Sequence, residues 1–127
     1  MARGHVSFVK IGELEFSRPE PLDETRPVDS CEATIRRGNL QATLTVRKCQ
    51  SLLGVFPEAA KGVPYEVGNL DVYGFSLDFK ADAAGHVTIT INMHNPTERW
   101  TVSAKIIVDL DDVKQASRQM ERFLRLQ

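Results

Sequence analysis

The stretch Cys31-Glu32-Ala33-Thr34-Ile35-Arg36-Arg37-Gly38-Asn39-Leu40-Gln41-Ala42-Thr43-Leu44-Thr45-Val46 decides the fold class. Gly38-Asn39 is a two-residue hairpin signal, with glycine where a type II′ turn needs a positive φ. Folding the chain about it sets Arg37 opposite Leu40, Ile35 opposite Ala42, Ala33 opposite Leu44 and Cys31 opposite Val46. All of these but Arg37 are apolar or nearly so. The other face pairs Arg36 with Gln41, Thr34 with Thr43 and Glu32 with Thr45. A slip of one residue would mix the two faces, so the register is well specified.

The same alternation recurs further along. Tyr73, Phe75, Leu77 and Phe79 alternate with Gly74, Ser76 and Asp78, and after Ala83-Ala84-Gly85 the residues Val87, Ile89, Ile91 and Met93 alternate with Thr88, Thr90 and Asn92. A three-residue loop with Gly85 in the left-handed conformation sets Phe79 opposite Ile89 and Leu77 opposite Ile91. A further strand runs from Trp100 to Val108, entered through the turn signal Asn95-Pro96. These strands form a meander with one apolar and one Thr/Ser-rich face. In that register Tyr73 and Trp100 fall on buried faces. Upstream, His5–Phe16 reads as one or two strands broken near Gly12. Ser17–Asp29, with Pro19, Pro21 and Pro27, reads as an exposed loop. Between the hairpins, Leu52, Leu53, Phe56, Ala59 and Ala60 recur at helical spacing, but Gly54 and Pro57 limit helix there to short turns. Residues 62–69 read as a loop carrying Pro64 and Tyr65.

The chain closes in a helix. Asp109, Asp111 and Asp112 supply an N-cap and favourable charge. Val113, Ala116, Met120, Phe123 and Leu124 then share one stripe, with Lys114, Arg118, Arg122 and Arg125 on the opposite side. No repeat is visible in the sequence. The expected architecture is α+β, mainly antiparallel β: a curved sheet or a β-sandwich with the C-terminal amphipathic helix packed on it, in a single domain spanning residues 1–127.

Composition narrows the function classes. The 127 residues are 42% hydrophobic and 26% charged, ordinary for a globular protein, and the net charge of −1 gives no global attraction to nucleic acid or to an anionic membrane. No apolar run approaches the ~20 residues of a membrane helix, and Met1–His5 is not followed by the apolar stretch of a signal peptide. The reading is a cytoplasmic protein, monomer or homodimer, with no membrane and no nucleic-acid partner. An exposed sheet edge would be the route to a dimer.

Sites of chemistry are hard to find. His86 and His94 stand at opposite ends of one predicted strand, roughly 26 Å apart at ~3.3 Å per residue, too far to share an ion. Cys49 falls three residues beyond the partner of Cys31, roughly 10 Å along the strand, which disfavours a disulfide. There is no Gly-x-Ser-x-Gly elbow, no phosphate loop and no singled-out carboxylate pair. The expectation is no catalytic residues, no cofactor and no metal: a protein that is not an enzyme.

The run Phe75-Ser76-Leu77-Asp78-Phe79, Gly85-His86-Val87-Thr88-Ile89, Trp100-Thr101-Val102-Ser103-Ala104 and Val113 through Leu124 resembles the small bacterial WapI-type toxin-immunity proteins. The upstream hairpin and the Leu52-Leu53-Phe56 segment fall in matching order. The resemblance implies a protein that neutralises a co-encoded toxin by binding it, and it brings no catalytic residues with it. The candidate contact residues are Tyr65 and Asn69 in the central loop and Lys114, Arg118, Arg122 and Arg125 on the helix. The alternative is a small-molecule or lipid-binding carrier with a cavity between sheet and helix.

Overall fold

The computed structural model describes residues 7–21, 28–63 and 67–125. Its elements run β1 (Phe8–Ile11), β2 (Leu14–Pro21), β3 (Val28–Arg37), β4 (Leu40–Arg47), a 3-10 turn (Cys49–Ser51), α1 (Leu52–Ala60), β5 (Val67–Val72), β6 (Phe75–Ala81), β7 (His86–Asn95), β8 (Trp100–Asp109) and α2 (Leu110–Leu124). The strands form two four-stranded antiparallel meanders, β1-β2-β3-β4 and β5-β6-β7-β8, and each meander is followed by a helix. The chain thus contains an architectural repeat that no residue-by-residue similarity announces. Both expected registers hold: Ile35 faces Ala42 and Cys31 faces Val46, while Phe79 faces Ile89 and Leu77 faces Ile91. Gly38 and Gly85 supply the positive φ values that these turns need, 59° and 89°.

The inner faces of both sheets and one stripe of each helix share one core. Phe16 of β2 stands edge-on to Phe56 of α1 and to Phe75 of β6, with ring centroids 6.1 and 6.0 Å away, and Phe56 meets Phe79 at 5.2 Å. Edge-to-face packing of this kind adds about 0.5–1.5 kcal/mol per pair beyond burial. Val113, Ala116, Met120, Phe123 and Leu124 of α2 are all buried, as the helical stripe requires, and α1 packs against α2. The hairpin tips of the first sheet end against β8. A Cβ on Gly12 would lie 3.2 Å from Ile106, and the Arg37 guanidinium donates to the Lys105 carbonyl at 2.7 Å. Arg37 also pairs with Glu13 at 2.8 Å, tying the two tips together.

Six local readings need correction. Residues 67–72 are a strand, β5, and Tyr73-Gly74 is the two-residue turn that joins it to β6, with φ of 42° and 86°. Tyr73 is therefore 66% exposed rather than buried, with the Lys48 ammonium 5.4 Å from its ring centroid. Trp100 is half-buried against the core. β2 continues through Pro19 to Pro21, because the ladder to β3 shifts register between Ser17 and Glu20, and such irregularities accept proline. The central helix is a continuous nine residues despite Gly54 and Pro57, since burial of Leu52, Val55 and Phe56 outweighs the local cost of roughly 1 and 3 kcal/mol. Finally, Cys49 does not continue the β4 line. Lys48 adopts a left-handed conformation (φ 53°, ψ 41°) that folds the chain back, so the Cys31 and Cys49 thiols meet in the core.

Candidate functional site

A groove of about 550 Å³, open to solvent, lies where β1, β8 and α2 converge. Its floor includes Ile11, Gly12, Val108 and Ala116. Its walls carry Phe8 and Ile107, 51% and 71% exposed, and the polar groups of Lys10, His86, Asp109, Asp112, Gln115 and Gln119. Each wall follows from local sequence logic. Phe8 and Lys10 lie on the outward face of β1, Ile107 interrupts the polar outer face of β8 (Thr101, Ser103, Lys105), and the glutamines sit one turn apart on α2. Phe8 and Ile107 thus place two exposed apolar side chains on a concave surface with a polar lining.

The charges around the groove are not equivalent. Asp109 and Asp112 form a capping box: the Asp109 carboxylate accepts the Asp112 N–H, and the Asp112 carboxylate accepts the Asp109 N–H at 3.1 Å. His86 lies 3.4 Å from Asp82. The Asp82 carboxyl is held below the usual carboxylate range, first by the His86 main-chain N–H and then by that of Ala84. Lys10 has no ion-pair partner among the described residues. The same is true of Lys114, Arg118 and Arg122, which stand exposed on successive turns of α2, while Arg125 at the end of the row pairs with Glu121 at 2.9 Å.

The expected contact residues are thus divided between places. Lys114, Arg118, Arg122 and Arg125 form one exposed stripe on α2, and none of them lines the groove. Asn69 lies on β5, at the edge of the second sheet remote from β8, and its amide donates to the Asp78 carboxylate. Tyr65 lies outside the described residues. Sequence reasoning missed the groove itself. The only local signals were Ile107 in a Thr/Ser/Lys row and Phe8 beside Lys10.

Other reactive groups sit apart from the groove. The Cys31 thiol is pushed far up by hydrogen bonding to Cys49 and by burial, so it stays protonated, and Cys49 is within 3.7 Å of the Val28 carbonyl. Both cysteines are free and buried. His94 contacts the Thr101 hydroxyl at 3.0 Å, a whole strand away from His86. Among the described residues no cluster of three or more His, Cys, Asp or Glu is arranged to hold a metal ion, and no helix is long and apolar enough to cross a membrane. Comparison of the chain with protein-family models, with curated proteins and with solved structures finds no match.

Proposed function

We propose that this is a non-enzymatic binding protein, an immunity protein that neutralises a bacterial toxin by direct contact, and that it presents α2 and the adjoining groove to an acidic surface of that partner. The observation that carries the reading is the row Lys114, Arg118 and Arg122, three exposed cations on successive turns with no ion-pair partner among the described residues, on the helix whose Gln115 and Gln119 line a groove with exposed Phe8 and Ile107. Unpaired charge of one sign steers association and selects partners of the other. The element order β6, Gly85-His86, β7, β8 beginning at Trp100, and α2 supports the same reading, because the likeness to immunity proteins rests on that order.

The test is co-expression with the products of neighbouring genes, followed by recovery of a complex and a growth-protection assay. The expected result is one co-purifying product whose toxicity is suppressed, with binding weakened more than about tenfold by Arg118→Glu with Arg122→Glu. Binding unchanged by that double reversal, or no product bound and no protection, contradicts it. The second reading, a small-molecule or lipid carrier, is favoured by one fact: the groove volume falls within the range of ligand pockets, about 300–1,000 Å³. Here the space lies at the surface, whereas the interface between α2 and the sheets is filled by Val113, Ala116, Met120 and Phe123.

A further inference from the structure

The sequence has two cysteines, and the fold brings both to one point in the core. Cys31 sits on β3, which is paired on both sides by β2 and β4, and it faces Val46 across the ladder. A strand running on past Val46 would carry Cys49 roughly 10 Å away. Instead the left-handed Lys48 ends β4 and turns the 3-10 segment back onto β3. The Cys49 Sγ then lies 3.7 Å from the Val28 carbonyl and in hydrogen-bond contact with the Cys31 thiol. The next residue clamps this turn in place. The Gln50 amide donates to the Val28 carbonyl at 2.6 Å and to the Leu124 carbonyl, at the end of α2, at 3.1 Å.

Packing explains either cysteine alone, since a free thiol serves as a small hydrophobe. It does not explain why the two meet. We infer that Cys31 and Cys49 form a reversible disulfide within the folded chain, fastening the entry of α1 to β3, and that the Gln50 clamp governs access to the pair. The inference is independent of the binding reading above. The oxidant is a low-molecular-weight disulfide of the glutathione type. Cys31 is locked in a central strand, so Cys49 is the thiol that emerges, when the turn opens by releasing the Gln50 bonds and that from the Ser51 N–H to the Lys48 carbonyl. The emerged Cys49 loses its proton, and its thiolate attacks one sulfur of glutathione disulfide and expels one glutathione. As the turn recloses, the Cys31 sulfur attacks the Cys49 sulfur of that mixed disulfide, sheds its proton and expels the second glutathione. Two thiols are oxidised, one disulfide is reduced, and both protons end on glutathione. The new bond secures the helix that has no side-chain cap of its own.

The experiment incubates the full chain, without denaturant, with glutathione disulfide, alkylates the remaining thiols and measures the intact and peptide masses. The expected product is a monomer lighter by two hydrogens, closed to alkylation, with a peptide linking Cys31 to Cys49. Its melting temperature should rise by about 5–10 °C, as a cross-link closing a short loop supplies, and the rise should vanish on treatment with dithiothreitol. Hydrogen exchange at the start of α1 should slow in the oxidised form. Gln50→Ala leaves both thiols in place and frees the turn, so oxidation should run about tenfold faster, as the loss of one or two hydrogen bonds allows. Two thiols still open to alkylation after unfolding, glutathione adducts or linked dimers as the sole products, or a disulfide that forms only in urea overturns the inference. An oxidised form that melts below the reduced one, or an oxidation rate unchanged in Gln50→Ala, contradicts the fastening or the clamp in turn.

Discussion

The two meander-and-helix halves share one order of elements, yet they are held by different physics. In the first half the helix is poor in isolation: α1 has Gly54 and Pro57, no side-chain cap, no acidic residue in its first turn and no basic residue in its last. Tertiary burial holds it, through Phe56 wedged between Phe16 and Phe79. In the second half α2 is fifteen residues long, begins with a full capping box and separates apolar from charged faces on its own. The outer faces differ in the same sense. The first sheet is laced by ion pairs, Arg36–Glu15 at 3.2 Å and Arg37–Glu13 at 2.8 Å. The second is laced by neutral hydrogen bonds, with Asn92 donating to Ser76 at 3.3 Å and accepting from Ser103 at 2.7 Å. The lesson is that α2 is held by its own cap and amphipathic pattern, whereas α1 is held by the core it fills.

That contrast can be broken experimentally, beginning with its largest consequence. Phe56→Ala removes the ring on which α1 depends and should cost about 3–5 kcal/mol, read as a lowered urea midpoint, with α1 amides losing exchange protection before those of α2. Equal loss in both helices would show that α1 does not rest on this one contact. Gly74→Ala places a Cβ 2.5 Å from the His94 carbonyl oxygen at a φ of 86°, and about 1–3 kcal/mol should be lost. If thermal melting is unchanged, the β5–β6 turn is not as described. Asp109→Ala takes away half of the capping box and should cost about 1 kcal/mol, while Asp109→Asn should restore most of it.

The smallest effect concerns acid. Glu13 is held below its ordinary value by hydrogen bonding to Arg37. A carboxyl depressed on folding adds stability that is present above its unfolded pKa, about 4.3, and lost as pH falls through the folded value. The wild type should therefore lose stability between neutral pH and pH 3 more steeply than Glu13→Gln, as followed by urea midpoints at the two pH values. Parallel slopes would remove Glu13 from the account.

Much of the fold was legible where local chemistry is decisive. Gly38-Asn39 and Gly85 name their turns, and alternation on either side then sets the registers. The Asp109–Asp112 cap and the apolar stripe do the same for α2. The β5 strand was hidden because its turn uses Tyr73 at a positive φ, a residue that does not advertise that conformation, and because Gly68-Asn69 reads as loop. The meeting of Cys31 with Cys49 was hidden by Lys48, whose left-handed conformation carries no sequence signal. The basic stripe was visible from helical spacing alone. The groove was not, because its walls come from residues 8–12, 86, 107–109 and 112–119, which only the crossing of the two sheets brings together.

The proposed binding face is tested most directly by hydrogen–deuterium exchange of the full chain, alone and with whichever neighbouring gene product co-purifies with it. The account predicts protection concentrated in residues 8–11, at 105–109 and along 114–122, with the outer face of the first sheet unchanged. Protection confined to β4 or β5, or to the Asn69–Asp78 edge, would contradict it.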